Sequence, residues 1–289
     1  VQVKAPIDVI RFPNSAVWFT FEDPEIYEDD FFLTRNLRYQ YNRDYFVVLG
    51  TQEDYTEFCR DWLLQEEEKI DKVKAMTAPY YPIPNERIDV YLDPESTLSY
   101  ALPEYDIIYL STSGVVVHEY AHIITAKVDY LSDNRWGGEG LATYLDVMAH
   151  TSSEDLSYYL KSVSPGEYDE KVRRAYCKLY NVNAFPTKAE DIYLGFQIDF
   201  NAFFDMHDSE DYGYNFESLF ENQSEDSIGL TYNSAASLIH YIMRNYGEDK
   251  FYAMYKDYDR YEEILGKSHA EIRSEWENNM LNAFEGYFD

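Results

Sequence analysis

Two histidines four residues apart, His118 and His122 in the stretch STSGVVVHEYAHIITAK (residues 111–127), are where this chain has the means for chemistry. On a helix, positions i and i+4 share one face a turn apart, so the two imidazoles can meet a single metal ion. Glu119 sits about 100° further round the same turn, placed to reach a water on that ion without ligating it. An H-E-x-x-H order arises by accident in only about 1% of chains with this His and Glu content. The flanking VVV and II are uncharged, so the remaining faces of the helix are expected to be buried. The competing account is a pair of histidines packed in a core.

A catalytic zinc site needs a third protein ligand and a position left for water. Sixteen residues intervene between His122 and Glu139, which stands in RWGGEGLATYLD. Gly137, Gly138 and Gly140 beside it permit tight turning and close backbone approach, and Glu139 is expected to begin a helix. A carboxylate arriving from that helix completes a His₂Glu set. Asp129 and Asp133, in the intervening turn, are the other choices. An H-E-x-x-H-x-x-G-x-x-H arrangement is excluded, because Thr125 and Val128 stand where it needs Gly and His. His150, His207, His240 and His269 lack ligand spacing, and His240 within SLIHYI is expected in the core. Asp146 is a candidate to hydrogen-bond a ligand histidine.

The elements that must carry these groups follow from periodicity and punctuation. AVWFTFED and DYFVVLG are predicted strands. TQEDYTEFCRDWLLQEEEKIDKVKAM places Tyr55, Phe58, Cys59, Trp62, Leu63, Ile70 and Val73 at helical spacing, with Thr51 as the N-cap. Prolines in APYYPIPNE end that helix. Two short strands, RIDVYLD and YDIIYLS, come next. A helix follows from about Gly114 to Lys127, capped by Ser111, Thr112 or Ser113. TYNSAASLIHYIMRNYG is a predicted helix that Gly247 closes, and two more follow it. Strands first and helices afterwards make an α+β pattern. The expected division is an N-terminal α+β region over residues 1–78 and a mostly helical domain over 79–289, with a peripheral insertion at 151–230.

Composition sets the outer limits. The 289 residues carry 54 acidic against 24 basic side chains, a formal net charge of −30. Such a field repels phosphate, which makes nucleic acid and anionic membrane poor partners, and no nucleic acid is expected. No apolar run of about 18 residues exists to span a bilayer. Cys59 and Cys177 are either two free thiols or one disulfide. The Val1 start and the abundance of tyrosine point to an exported bacterial protein, secreted or at the cell surface.

HEYAH followed by WGGEGLATYL resembles the gluzincins, metallopeptidases with H-E-x-x-H and a downstream Glu, notably their aminopeptidase-like and peptidase-MA-like members. A second segment, TYNSAASLIHYIMRNYGEDKF, is similar to their downstream helix, which a Tyr opens and YG-x-x-x-F closes. The likeness is strongest over residues 85–265. It implies a thermolysin-like catalytic domain that binds zinc through His118, His122 and Glu139. Glu119 is then general base and acid, and Tyr232 donates to the developing oxyanion. The strand YDIIYLS is, by analogy, where an extended substrate would pair. There is no G-x-M-E-N segment to hold a free α-amine, so the implied activity is endo- or oligopeptidase. The alternatives are a catalytically silent surface protein that keeps the fold, and hydrolysis of a non-peptide amide by the same machinery.

Overall fold

The computed structural model describes residues 25–26, 31–33, 35–40, 52–84, 87–92, 98–110, 115–126, 135–162, 167–211 and 228–287. The chain divides into two compact units, residues 1–127 and 128–289. The boundary expected at residue 78 falls inside the first of them. The physical reason is the helix that precedes it: Ile70 and Val73 are fully buried, and that helix packs on the His118 helix of the same unit.

The first unit holds a sheet of six short strands among the described residues, in the order β1-β2-β3-β4-β6-β5. They are β1 (Glu25–Ile26), β2 (Phe31–Leu33), β3 (Leu37–Gln40), β4 (Ile88–Leu92), β5 (Tyr100–Leu102) and β6 (Ile107–Leu110). β3, β4 and β6 run parallel; β1, β2 and β5 are antiparallel to their neighbours. Parallel pairing of β3 with β4 requires a crossover. Helix α1 (Gln52–Thr77) supplies it, stopping where the proline-rich stretch begins. Helix α2 (Val116–Ala126) lies against β5 and β6. Of the strands predicted near this region, RIDVYLD and YDIIYLS appear as β4 and β6. The predicted strands AVWFTFED and DYFVVLG lie outside the described residues, as do the caps expected at Thr51 and Ser111–Ser113.

Inside this sheet the ion pair of Arg38 (β3) with Asp89 (β4) is almost sealed, with Arg38 Nε and Nη2 donating to the two carboxylate oxygens at 2.5 and 2.6 Å. Asp89 is held above the usual carboxylate range by burial, which outweighs the pull of Arg38. Glu67 of α1, fully buried, accepts from both Asn36 N and Asn36 Nδ2 at 2.7 Å and so ties the helix to the start of β3.

The second unit is helical among the described residues: α3 (Arg135–His150), α4 (Ser153–Ser162), α5 (Glu167–Tyr180), α6 (Phe196–Asp211), α7 (Ile228–Tyr246), α8 (Glu248–Lys256), α9 (Tyr261–Leu265) and α10 (His269–Ala283), with two short 3₁₀ turns. α7 is central and packs on α3, α6, α8 and α10. Ala235, Ala236, Leu238, Ile239 and Ile242 are completely inaccessible. The stretch expected as a peripheral insertion, 151–230, supplies α4, α5 and α6. Tyr176, Phe196, Ile198, Phe200 and Ala202 within its described residues are buried. The α+β class therefore holds, with one small sheet and many helices. No helix among the described residues is long and apolar enough to cross a membrane.

Candidate metal centre

α2 is sealed on most of its circumference. Val116, Val117, Tyr120, Ala121, Ile123, Ile124 and Thr125 are buried, as the uncharged flanks of the motif require. Thr125 Oγ1 donates back to Ala121 O at 2.9 Å, which satisfies the one hydroxyl in that apolar face. His118 and His122 lie on the stripe left half-open. Their Nε2 atoms are 3.2 Å apart, with ring centroids at 4.9 Å and planes at 80°. A tetrahedral ion with Zn–N bonds of 2.0–2.1 Å spans its two nitrogens by about 3.3 Å. The imidazoles thus already hold the separation that chelation needs. Glu119 is nearly inaccessible, at 6% exposure.

Glu139 comes from α3, and here the structure departs from the sequence expectation. The helix starts at Arg135, so Gly137, Gly138 and Gly140 are helical and Glu139 sits in its second turn. Glycine costs about 1 kcal/mol in a helix interior relative to alanine, so packing must supply the difference. Gly140 shows how: a Cβ placed on it would stand 2.7 Å from Ala235 Cβ and 3.0 Å from Ile239 Cδ1 of α7. Only a hydrogen there allows the two helices to touch. One ligand-capable atom from each of His118, His122 and Glu139 lies within 4.8 Å of the other two, and all three residues are half-buried. Two imidazoles and a carboxylate at that spacing can hold a metal ion. Asp129 and Asp133 lie outside the described residues.

Tyr232 is half-buried on the second turn of α7, which begins at Ile228 rather than at the tyrosine. Gly140 meets Ala235 and Ile239, while Tyr144 stacks on His240 at 6.2 Å. α3 and α7 therefore advance side by side, with Glu139 and Tyr232 toward the same end. Asn233, next to Tyr232, donates from Nδ2 to Asp205 Oδ2 of α6 at 2.7 Å and anchors that end. The carboxylate of Asp146, expected to orient a ligand histidine, lies 3.1 Å from Nδ1 of His150 on its own helix. Cys177 is a free, half-buried thiol whose ionisation burial pushes up; the side chain of Cys59 lies outside the described residues.

A second polar cluster escaped the sequence reading. Asp199 of α6 is buried at 3% exposure and accepts from Ser237 Oγ at 2.6 Å and Tyr180 OH at 2.9 Å. Its Oδ2 also lies 3.1 Å from His240 Nδ1. Trp276 Nε1 donates to Ser237 Oγ at 3.0 Å. Burial alone would raise the Asp199 carboxyl; the charge and hydrogen bond of His240, the Ser237 hydroxyl and Arg244 outweigh it and hold the group below its usual range. This Ser, His and Asp do not form a nucleophilic relay, since the serine hydroxyl is spent on the aspartate and is completely inaccessible. His240 is the satisfied core histidine that its SLIHYI setting predicts. The hub spans residues 180 to 276, and no local pattern announces it.

Comparison with family models, with curated proteins and with solved structures yields no match.

Proposed function

We propose that this chain is a zinc-dependent peptidase of gluzincin type with a thermolysin-like arrangement, cleaving peptide bonds as an endo- or oligopeptidase. The observation that carries the proposal is the 3.2 Å separation of His118 and His122 Nε2, which matches the span a tetrahedral ion imposes. The proximity of a Glu139 oxygen supports it. Zinc held by His118, His122 and Glu139 would polarise the scissile carbonyl and acidify the attacking water.

The chain's own residues do the remaining work. Glu119 takes the proton from that water and delivers it to the leaving amine, base then acid. Its burial keeps the carboxylate out of bulk solvent, where such a transfer is least diluted. Tyr232 donates its phenolic hydrogen to the oxyanion that develops on the carbonyl. The substrate's backbone needs an open strand to lie along. β6, the strand YDIIYLS first assigned to this, is paired on both sides by β4 and β5. The role passes to β5, the terminal strand among those described, which lies against α2.

In a metal-free chain the same His118–His122 contact is a hydrogen bond with one ring donating, so metal titration separates the two states. The purified protein is expected to bind one zinc per chain and to cleave a mixed peptide library, with cleavage stopped by a chelator and restored by zinc. Glu119→Gln should keep the zinc and lose turnover by about 10³-fold. Unaltered cleavage in that variant would overturn the mechanism. Zinc bound without cleavage of any peptide would favour a silent binding protein instead.

A further inference from the structure

α7 meets glycine at two places, on two different elements. At Gly140 of α3, a Cβ would come 2.7 Å from Ala235 Cβ and 3.0 Å from the Ala235 carbonyl carbon. At Gly195, just before α6, a Cβ would fall 2.2 Å from His240 Cε1 and 2.3 Å from its Nε2. Neither neighbour can yield by rotating a side chain. Ala235 has no rotamer to change, so its Cβ moves only with the helix. The His240 ring is tied to Asp199 through Nδ1 and stacked on Tyr144 of α3. Asp199 is itself pinned by Ser237 and Tyr180. The glycines therefore set how closely α7 approaches its neighbours, and the His240–Asp199 contact sets its rotation.

That spacing is transmitted to chemistry. Glu139 directly precedes Gly140, and Tyr232 lies one turn before Ala235. We infer that Gly140 and Gly195 are positioning residues, which fix the distance between the carboxylate of Glu139 and the phenol of Tyr232. This rests on Tyr232 acting as oxyanion donor and Glu139 as ligand. An added methyl at either glycine forces the helices apart. Displacements of ångström scale around reacting groups cost up to about 10²-fold in rate.

Helix propensity and spacing predict opposite signs at Gly140, which makes the test sharp. Were it an ordinary helix position, Gly140→Ala would raise the melting temperature and leave kcat alone. The spacing role predicts a fall in kcat of about 10- to 100-fold with KM within about twofold, measured on chains confirmed as folded by circular dichroism. Ala235→Gly in the same chain removes the 2.7 Å collision and should restore most of the loss. In a Tyr232→Phe background, Gly140→Ala should cost much less than it does alone. Wild-type kcat in Gly140→Ala, no rescue by Ala235→Gly, or losses that simply multiply with Tyr232→Phe would each overturn the inference.

Two contingencies keep the test decisive. Should Gly140→Ala not fold, Gly195→Ala presses α7 through the His240 ring and carries the same kinetic expectation. Should the unaltered chain cleave no peptide, the hydrolase proposal fails on its own. Zinc affinity, read by competition with a chromophoric chelator, then decides the spacing: weaker binding in Gly140→Ala with recovery in the double variant upholds it, and unchanged binding refutes it.

Discussion

Replacing Asp199 by alanine is the most demanding check on how the helical unit is held together. The carboxylate accepts from Ser237 at 2.6 Å and Tyr180 at 2.9 Å, with His240 Nδ1 at 3.1 Å. Each hydrogen bond to a charged group contributes about 1.5–3 kcal/mol, though bonds sharing one acceptor do not add. Removal also leaves the Tyr180 hydroxyl and the His240 ring without this acceptor in a dry setting. One relief opposes these costs, since the variant no longer has to bury a charge. Breaking one side of a buried pair comes to about 3–5 kcal/mol in total. For a unit spanning residues 128–289, about 4 kcal/mol corresponds to a melting temperature lower by about 8–16 °C.

The assay is a thermal melt followed by circular dichroism at pH 7, with Glu263→Ala as the control. That residue's pairing with Arg260 is as short as 2.6 Å but lies in solvent, so its loss should shift the midpoint far less than the loss of Asp199 does. The pH dependence has a definite sign. Because the folded Asp199 carboxyl titrates below its ordinary value, its contribution is complete above about pH 4 and fades as acid protonates it. The gap between wild type and variant should therefore close below that point. A midpoint loss of less than about 3 °C at pH 7, or a gap that widens in acid, would refute the account of the hub.

Other outcomes follow from the same geometry. Zinc at about 100 times its Kd should stabilise the chain by about 2.7 kcal/mol; His122→Ala should abolish that shift in the melt. Tyr232→Phe should lower kcat by about 10²-fold with KM nearly unchanged, and an equal rate would reduce the residue to packing. Arg38→Ala strands the buried Asp89 carboxylate and should cost about 3–5 kcal/mol at pH 7. Asp89 already titrates above its usual value, so lowering the pH neutralises it and should narrow that deficit, in the same direction as the Asp199 gap but starting at a higher pH. Denaturant melts of Arg38→Ala at pH 7 and pH 5 check this.

What could be read from the residues alone was local. α2 announced itself because an unbroken apolar run carries two histidines at i and i+4, and α7 because its small and apolar residues recur at helical spacing. β4 and β6 showed as β-branched and aromatic runs bounded by turn formers. β5 did not, since Tyr100–Leu102 is three residues long and Pro103 follows it at once. The start of α3 was misplaced because three glycines in five residues argue for a loop, and the close packing of Gly140 on α7 that favours the helix is not a local pattern. α6 was blurred by acidic and aromatic residues scattered around the helix, so no clean stripe emerged there, whereas α4 and α5 do carry an apolar face and were read only as short helical stretches. The Asp199 hub joins side chains up to about a hundred positions apart, beyond the reach of any periodicity. The candidate ligands His118, His122 and Glu139 were legible as types and spacing; the closeness of their ligand atoms depends on packing that the spacing does not contain.

The glycines at the head of α3 bear on the order in which the centre is assembled. In isolation that stretch would sooner be coil than helix, disfavoured by about 3 kcal/mol across Gly137, Gly138 and Gly140. The carboxylate of Glu139 is therefore expected in place only once α7 lies against Gly140, whereas the two imidazoles need only their own helical turn. During folding the chain should offer a weak two-nitrogen grip first and a full-strength one later. A zinc-chase experiment on the refolding protein would then show capture in two steps, with the tighter phase tracking the appearance of helix in the second unit.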